Sequence, residues 1–239
     1  MLGVIQNLWR NLLDLVYPPS CVICAELEVC AENPFCCRRC WHRVEQAVIP
    51  AGRHWQGETN ENAGIQGDYA AWFYRDEMTA LIPSMKYHDR PALAGRLGQL
   101  AAVRLRTALL TLLPSPAEMA KTALVPVPLH PRRRRERGFN QSLLIAQALG
   151  KSWGLRVLPA ALRRIRFTSS QVGLSAEQRS RNLAGAFKLG TPLPPTLRSV
   201  LVVDDVITTG ATVNGCAAVL RLAGIEQVFA IALARASLE

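Results

Sequence analysis

Leu2, Ile5, Leu8, Trp9, Leu12, Leu13 and Val16 recur at helical spacing until Pro18-Pro19 ends the run. This pattern predicts an amphipathic helix. A helix lying on a membrane surface would show the same stripe, but its polar face would be rich in Lys and Arg. Here that face carries Arg10 alone, so packing against the rest of the protein is the better reading. Residues 50–67 are polar, Gly-containing and without apolar period, as a linker is. From Asp68 onward the pattern alternates: strands are expected over 69–74, 123–127, 156–158, 199–203 and 227–233, and helices over 91–113, 140–153, 175–183 and 211–223. Asn140 is placed to cap one helix, Ser175 with Gln178 to form a capping box on another, and Gly224 to stop the last. The continuous apolar run Ser-Val-Leu-Val-Val at 199–203 suits a strand covered on both faces of a parallel sheet. The expected architecture is an N-terminal unit over 1–67 followed by an α/β domain over 68–239, with right-handed crossovers.

Composition sharpens this picture. Hydrophobic residues are 49% and charged residues 19% of the chain, which excludes global disorder; aromatics at 6% make the core mostly aliphatic. The net charge of +10 is concentrated: residues 130–190 hold 13 basic and 2 acidic side chains, a net +11. Of the 28 basic residues, 24 are Arg, the side chain suited to bidentate phosphate binding. Such a focus points to a polyanionic partner, either a phosphorylated small molecule or a nucleic acid or both. No stretch approaches the roughly 20 apolar residues of a membrane span, and the N-terminus lacks the basic start of an export signal. The expected location is cytoplasmic.

Six of the seven cysteines lie between Cys21 and Cys40. Cys21 and Cys24 form one CxxC pair, and Cys37 and Cys40 a second, with twelve residues between them. Two such turns can close a tetrahedron of thiolates around a structural Zn²⁺. Cys36, Cys30 and His42 are alternatives for one ligand position, and free or redox-active thiols are the competing reading.

The strongest chemical signal is Val200-Leu-Val-Val-Asp-Asp-Val-Ile-Thr-Thr-Gly-Ala-Thr212. A buried strand is expected to end in two carboxylates, Asp204 and Asp205, before a short loop opens a helix. Ligands bind α/β sheets at such strand ends, and backbone N–H groups at the helix start suit a phosphate. The carboxylates would repel that phosphate, so they should meet hydroxyl groups or Mg²⁺; a ribose 5-phosphate offers both parts. A Walker-type nucleotide site is excluded because the chain has no GxxxxGK[ST] sequence.

This segment resembles the signature of the type I phosphoribosyltransferases. The resemblance implies that Asp204 and Asp205 contact the ribose hydroxyls of phosphoribosyl pyrophosphate as the catalytic pair. It implies further that Val206, Ile207, Thr208, Thr209, Gly210, Ala211 and Thr212 hold the 5-phosphate, with Mg²⁺ on the pyrophosphate. A paired-CxxC module ahead of such a domain is similar to the ComF family, which includes ComFC-like competence proteins and GntX-like proteins linked to use of external DNA. Val125-Pro-Val-Pro-Leu-His130, Arg135-Glu-Arg-Gly-Phe-Asn-Gln141, the segment from Gln171 through Arg179 and Asn182 to Phe187, and Lys86-Tyr87 resemble its motifs. The family implies a role in DNA uptake or utilisation, with single-stranded DNA and a DNA-uptake or helicase-type protein as partners.

The five arginines Arg132, Arg133, Arg134, Arg135 and Arg137 follow the strand at 123–127. In the resembling fold the loop at this place binds pyrophosphate. Arg137, beside Gly138, is expected to face the ligand, and Arg132–Arg135 to face solvent or nucleic acid. The polar stretch 168–175, flanked by Arg163, Arg164, Arg166, Arg179 and Arg181, resembles a mobile lid over the site. Two functions stay open: an enzyme that transfers ribose 5-phosphate to an unidentified acceptor, or a non-catalytic DNA-handling module that senses phosphoribosyl pyrophosphate.

Overall fold

A computed structural model describes residues 20–27, 29, 33–47, 64–87, 90–166 and 185–236. The expected helices over 2–16 and 175–183, and the expected lid, lie outside these residues.

Helix α1 (Arg38–Gln46) belongs to the cysteine module. The α/β domain then runs β1 (Asp68–Phe73), α2 (Glu77–Tyr87), α3 (Pro91–Arg104), α4 (Arg106–Leu112), α5 (Pro116–Ala120), β2 (Thr122–Pro126), α6 (Pro131–Arg137), α7 (Gln141–Trp153), β3 (Arg156–Val157), β4 (Leu162–Arg164), β5 (Phe187–Leu189), β6 (Ser199–Ile207), α8 (Ala211–Leu222) and β7 (Gln227–Arg235). Five strands form one parallel sheet in the order β1-β7-β6-β2-β3, and β4 and β5 pair as a separate antiparallel ribbon. This is a type I phosphoribosyltransferase-like fold, with the cysteine cluster on its N-terminal side.

From β2 the chain steps outward to β3, then returns to lay β6 on the opposite side of β2. That reversal opens a crevice beyond the carboxyl ends of β2 and β6, where open α/β sheets take their ligands. Both faces of the sheet are covered. On one face Leu201, Val203 and Ile231 join α2, α3, α7 and the cysteine module in one core cluster. On the other, Val200, Val202 and Ala230 pack with α8 and the β4–β5 ribbon. Alternate residues of β6 thus serve opposite cores, as a pleated strand requires.

The helix expected over 91–113 is interrupted at Leu105, where φ is −90° and ψ 7°. Leu93, Leu97, Ala101, Leu105, Leu109 and Leu113 are all buried. Four-residue steps advance the stripe by about 40° each around a straight helix, so five steps would carry it roughly 200° off the core. The break between α3 and α4 resets the phase. Helix α3 also lies against α7 at Gly98, where a Cβ would come within 2.8 Å of the Ala148 methyl.

The cysteine module docks on this face through its helix. Trp72 of β1 donates its indole N–H to the Val44 carbonyl at 3.0 Å. Arg104 donates to the carbonyls of Val44, Glu45 and Ala47 while its guanidinium lies over the Trp72 ring. The last carbonyls of α1, which have no partner within the helix, are thereby satisfied by a cation.

Candidate functional site

The crevice beyond β2 and β6 has a volume of about 340 Å³. Its walls come from the loops after three strands: Tyr74 after β1, Val127 and Leu129 after β2, and Val206 through Thr212 around the end of β6. The acidic pair lies in the strand but does not end it as the sequence reading had it: β6 runs two residues further, to Ile207, with Asp204 opposite Ala232 of β7. Strand pairing therefore fixes both backbones, and the pleat sends the two side chains to different partners.

Asp204 Oδ1 accepts from the Ser142 hydroxyl at 3.0 Å and from the Asp205 N–H at 2.9 Å. Burial, reinforced by the neighbouring Asp205 charge, pushes its carboxyl up to about 7. Asp205 Oδ1 accepts from the Val206 N–H at 2.8 Å, and its Oδ2 lies 2.8 Å from Lys86 Nζ. Burial disfavours the Lys86 charge, but Asp205 outweighs it and holds the ammonium above its ordinary value. Lys86 stands at the last turn of α2, where the helix dipole also favours a cation.

Beyond β6, Gly210 has φ of +74° and serves as the N-cap of α8. Thr208, Thr209, Ala211 and Thr212 join it in the crevice wall, so the first N–H groups of a twelve-residue helix open beside the carboxylates.

The arginine segment is a helix, α6, and not the loop expected after β2. The His130 Nδ1 caps it by accepting from the Arg132 N–H, Pro131 occupies its first position, and Gly138 closes it with φ of +74°. This geometry sorts the arginines. Arg133 and Arg137, one turn apart, line the crevice. Arg132 pairs with Glu136 at 3.0 Å on the outer face, and Arg134 and Arg135 are exposed. Arg133 thus departs from the outward group in which the sequence reading placed it. Gly138 is exposed and lies outside the crevice wall. Arg164 from β4 adds a third guanidinium to the wall and lies over the Phe187 ring; burial, then the charge of Arg133, lowers its pKa.

Lys86, Ser142, Gln141, Tyr74 and Arg164 were not singled out as site residues from the sequence. A usable signal existed for Lys86, one of four lysines in a chain with 24 arginines. Ser142 carried none, because its partner is 62 residues away.

In the N-terminal module, Cys21, Cys24, Cys37 and Cys40 bring their sulfurs within 4.8 Å of one another. Cys24 and Cys37 sulfurs are 3.7 Å apart, and all four thiols are free. Zn–S bonds of about 2.3 Å put tetrahedral sulfurs about 3.8 Å apart, so the set fits zinc. Burial raises the Cys21 thiol, but the N–H groups of Cys24, Cys37 and Ile23 outweigh it and bring the thiol down to about 6. Cys36 is fully buried outside this cluster, and burial pushes its thiol up to about 12. The exposed His42 interacts with Gln46 at 3.0 Å. Neither joins the four sulfurs; Cys30 lies outside the described residues. No helix among the described residues is long and apolar enough to cross a membrane.

No family model matches the chain. It is 41% identical to Competence protein F of Haemophilus influenzae over 115 residues, about half of each chain. It is 33% identical to the DNA utilization protein YhgH of Escherichia coli K12 over 193 residues, 80% of both chains. The chain belongs to the ComF family. Competence protein ComFC of Streptococcus pneumoniae matches at 33% identity over 111 residues, 47% of that protein. These relatives place the crevice and the cysteine cluster in a ComF protein.

Proposed function

We propose that the crevice binds phosphoribosyl pyrophosphate with Mg²⁺ and that this ComF protein acts in DNA uptake or utilisation. The observation that carries the ligand reading is Asp204 and Asp205, buried in the carboxyl-terminal half of β6, close to the N-terminus of α8. A phosphate at Thr208–Thr212 would accept from backbone N–H groups, while the two carboxylates receive the ribose hydroxyls. Arg133, Arg137 and Arg164 supply the cationic wall that a pyrophosphate needs. Mg²⁺ would supply neutralisation of the pyrophosphate charge. With transfer to an acceptor, Asp204 and Asp205 would orient the ribose and stabilise positive charge at its reacting carbon, and the arginines would stabilise the departing pyrophosphate. The DNA role is supported by relatives bearing the names competence protein and DNA utilization protein.

A second reading, ligand sensing without turnover, is favoured by one feature: among the described residues lining the crevice there is no histidine, and His130 is used to cap α6. Calorimetry with phosphoribosyl pyrophosphate and Mg²⁺ tests the site, and equal binding to wild type and to Asp204→Asn/Asp205→Asn overturns it. Pyrophosphate release against a panel of bases and nucleic acids separates enzyme from sensor.

A further inference from the structure

The two candidate sites are joined by a continuous set of contacts. Arg43 of α1 directs Nη2 at the sulfur of Cys40, 3.6 Å away, and places Nε 2.7 Å from Glu77 Oε1. Glu77 is the first residue of α2, and Lys86, near the end of the same helix, pairs with Asp205. Between these ion pairs α2 is clamped along one stripe: Met78, Leu81, Ile82 and Met85 are 0–2% exposed. They share a core cluster with Cys36, Cys37, Cys40, Leu201 and Val203. Pro83 removes one backbone hydrogen bond, yet the helix runs unbroken through it.

Four thiolates on Zn²⁺ leave a local charge of about −2, and a donor to a ligating sulfur both offsets that charge and fixes the ligand. Here the donor is Arg43, which Glu77 holds in place. At the other end, Lys86 and Asp205 both line the crevice, so the position of α2 sets where their ammonium and carboxylate meet a ligand. The ends of α2 therefore report on both sites.

We propose that α2 couples the four-cysteine centre to the ligand crevice through the Arg43–Glu77 and Lys86–Asp205 ion pairs, with Glu77 as the positioning residue. The inference rests on the ligand reading given above and concerns regulation of that site. Metal at the cysteines fixes Arg43 and Glu77, and through α2 the approach of Lys86 to Asp205. Linkage is reciprocal: if zinc favours ligand binding, ligand strengthens zinc binding by the same factor.

The test uses the full zinc-loaded chain, phosphoribosyl pyrophosphate with Mg²⁺ as probe, and a zinc-selective chromogenic chelator. In wild type, saturating probe is expected to lower the extent of zinc removal at a given chelator concentration by about fivefold or more. Glu77→Gln, which touches neither ligand nor zinc, should purify with full zinc, lose this protection and bind the probe more weakly by a similar factor. Ile82→Val, a buried position that belongs to neither ion pair, should lower the melting temperature but keep the protection, so mere loosening of α2 is distinguished. Equal protection and equal probe affinity in wild type and Glu77→Gln would overturn the coupling while leaving the ligand site standing. Absence of probe binding to zinc-replete wild type would overturn the ligand reading, and this inference with it.

Discussion

Ser142 donates its hydroxyl proton to Asp204 Oδ1 at 3.0 Å, tying the first turn of α7 to β6 across 62 residues of chain. The bond favours the ionised form of a carboxyl that burial pushes up to about 7 from an ordinary 3.8. A carboxyl raised in the folded state binds its proton more tightly there than in the unfolded chain, so its stabilising contribution is complete below the unfolded value and is lost as pH rises. The ligand-free protein should therefore lose stability between pH 4 and pH 7. The loss should be smaller in Asp204→Asn and should extend to higher pH in Ser142→Ala. Denaturant melts of the three proteins at several pH values check this; parallel curves for wild type and Asp204→Asn would refute it.

Zinc should be present at about one ion per chain, held by four thiolates. Cys40→Ser should lose the metal and loosen the N-terminal module. Cys36→Ser should retain it, because Cys36 lies outside the four-sulfur cluster. Elemental analysis of the purified variants decides, and full metal in Cys40→Ser would remove the assignment.

Phosphoribosyl pyrophosphate with Mg²⁺ should raise the melting temperature, since a ligand bound by the native state alone stabilises it. Asp204→Asn/Asp205→Asn should abolish the shift. Thr208→Ala and Thr212→Ala should reduce it less, because the backbone N–H groups remain. Arg133→Ala and Arg137→Ala should weaken binding by one or two orders of magnitude if each removes a charged hydrogen bond worth about 1.5–3 kcal/mol. Thermal shift and calorimetry give the comparison.

Single-stranded DNA should bind through the outer face of α6. Replacing Arg132, Arg134 and Arg135 by Ala should reduce the salt slope of binding by about two units if all three contact phosphates, at about 0.7 per contact. The same triple variant should keep its affinity for phosphoribosyl pyrophosphate, since Arg133 and Arg137 face the crevice. Fluorescence anisotropy at several salt concentrations measures both; an unchanged slope would reduce the outer arginines to a solvated surface.

What the sequence made legible was local or periodic. Asn140 caps α7 by accepting from the Ser142 N–H at 3.1 Å, and a cap is chosen by residues two or three apart. Strand β6 announced itself as an unbroken apolar run because both of its faces are covered. Its continuation through Asp204 and Asp205 was hidden, since carboxylates oppose strand formation unless a distant Ser142 and Lys86 receive them. Helix α6 was hidden for a different reason. It has no buried residue and hence no apolar stripe; only Pro131 and Gly138 at its ends betray it. Helix α2 escaped because Met78, Leu81, Ile82 and Met85 share their span with Pro83, which reads as a helix breaker.

Strand β1 lies at the edge of the sheet, and among the described residues its one sheet neighbour is β7, the last strand in sequence. Trp72, which donates to Val44 of the cysteine module, sits on β1, and the carbonyl of its neighbour Ala71 accepts from Arg104, which also holds that module. During synthesis, then, β1 emerges early but has no hydrogen-bonding neighbour until some 150 further residues have left the ribosome. The surface on which the cysteine module rests is completed last, so a metal bound early would hold a module still waiting for its seat.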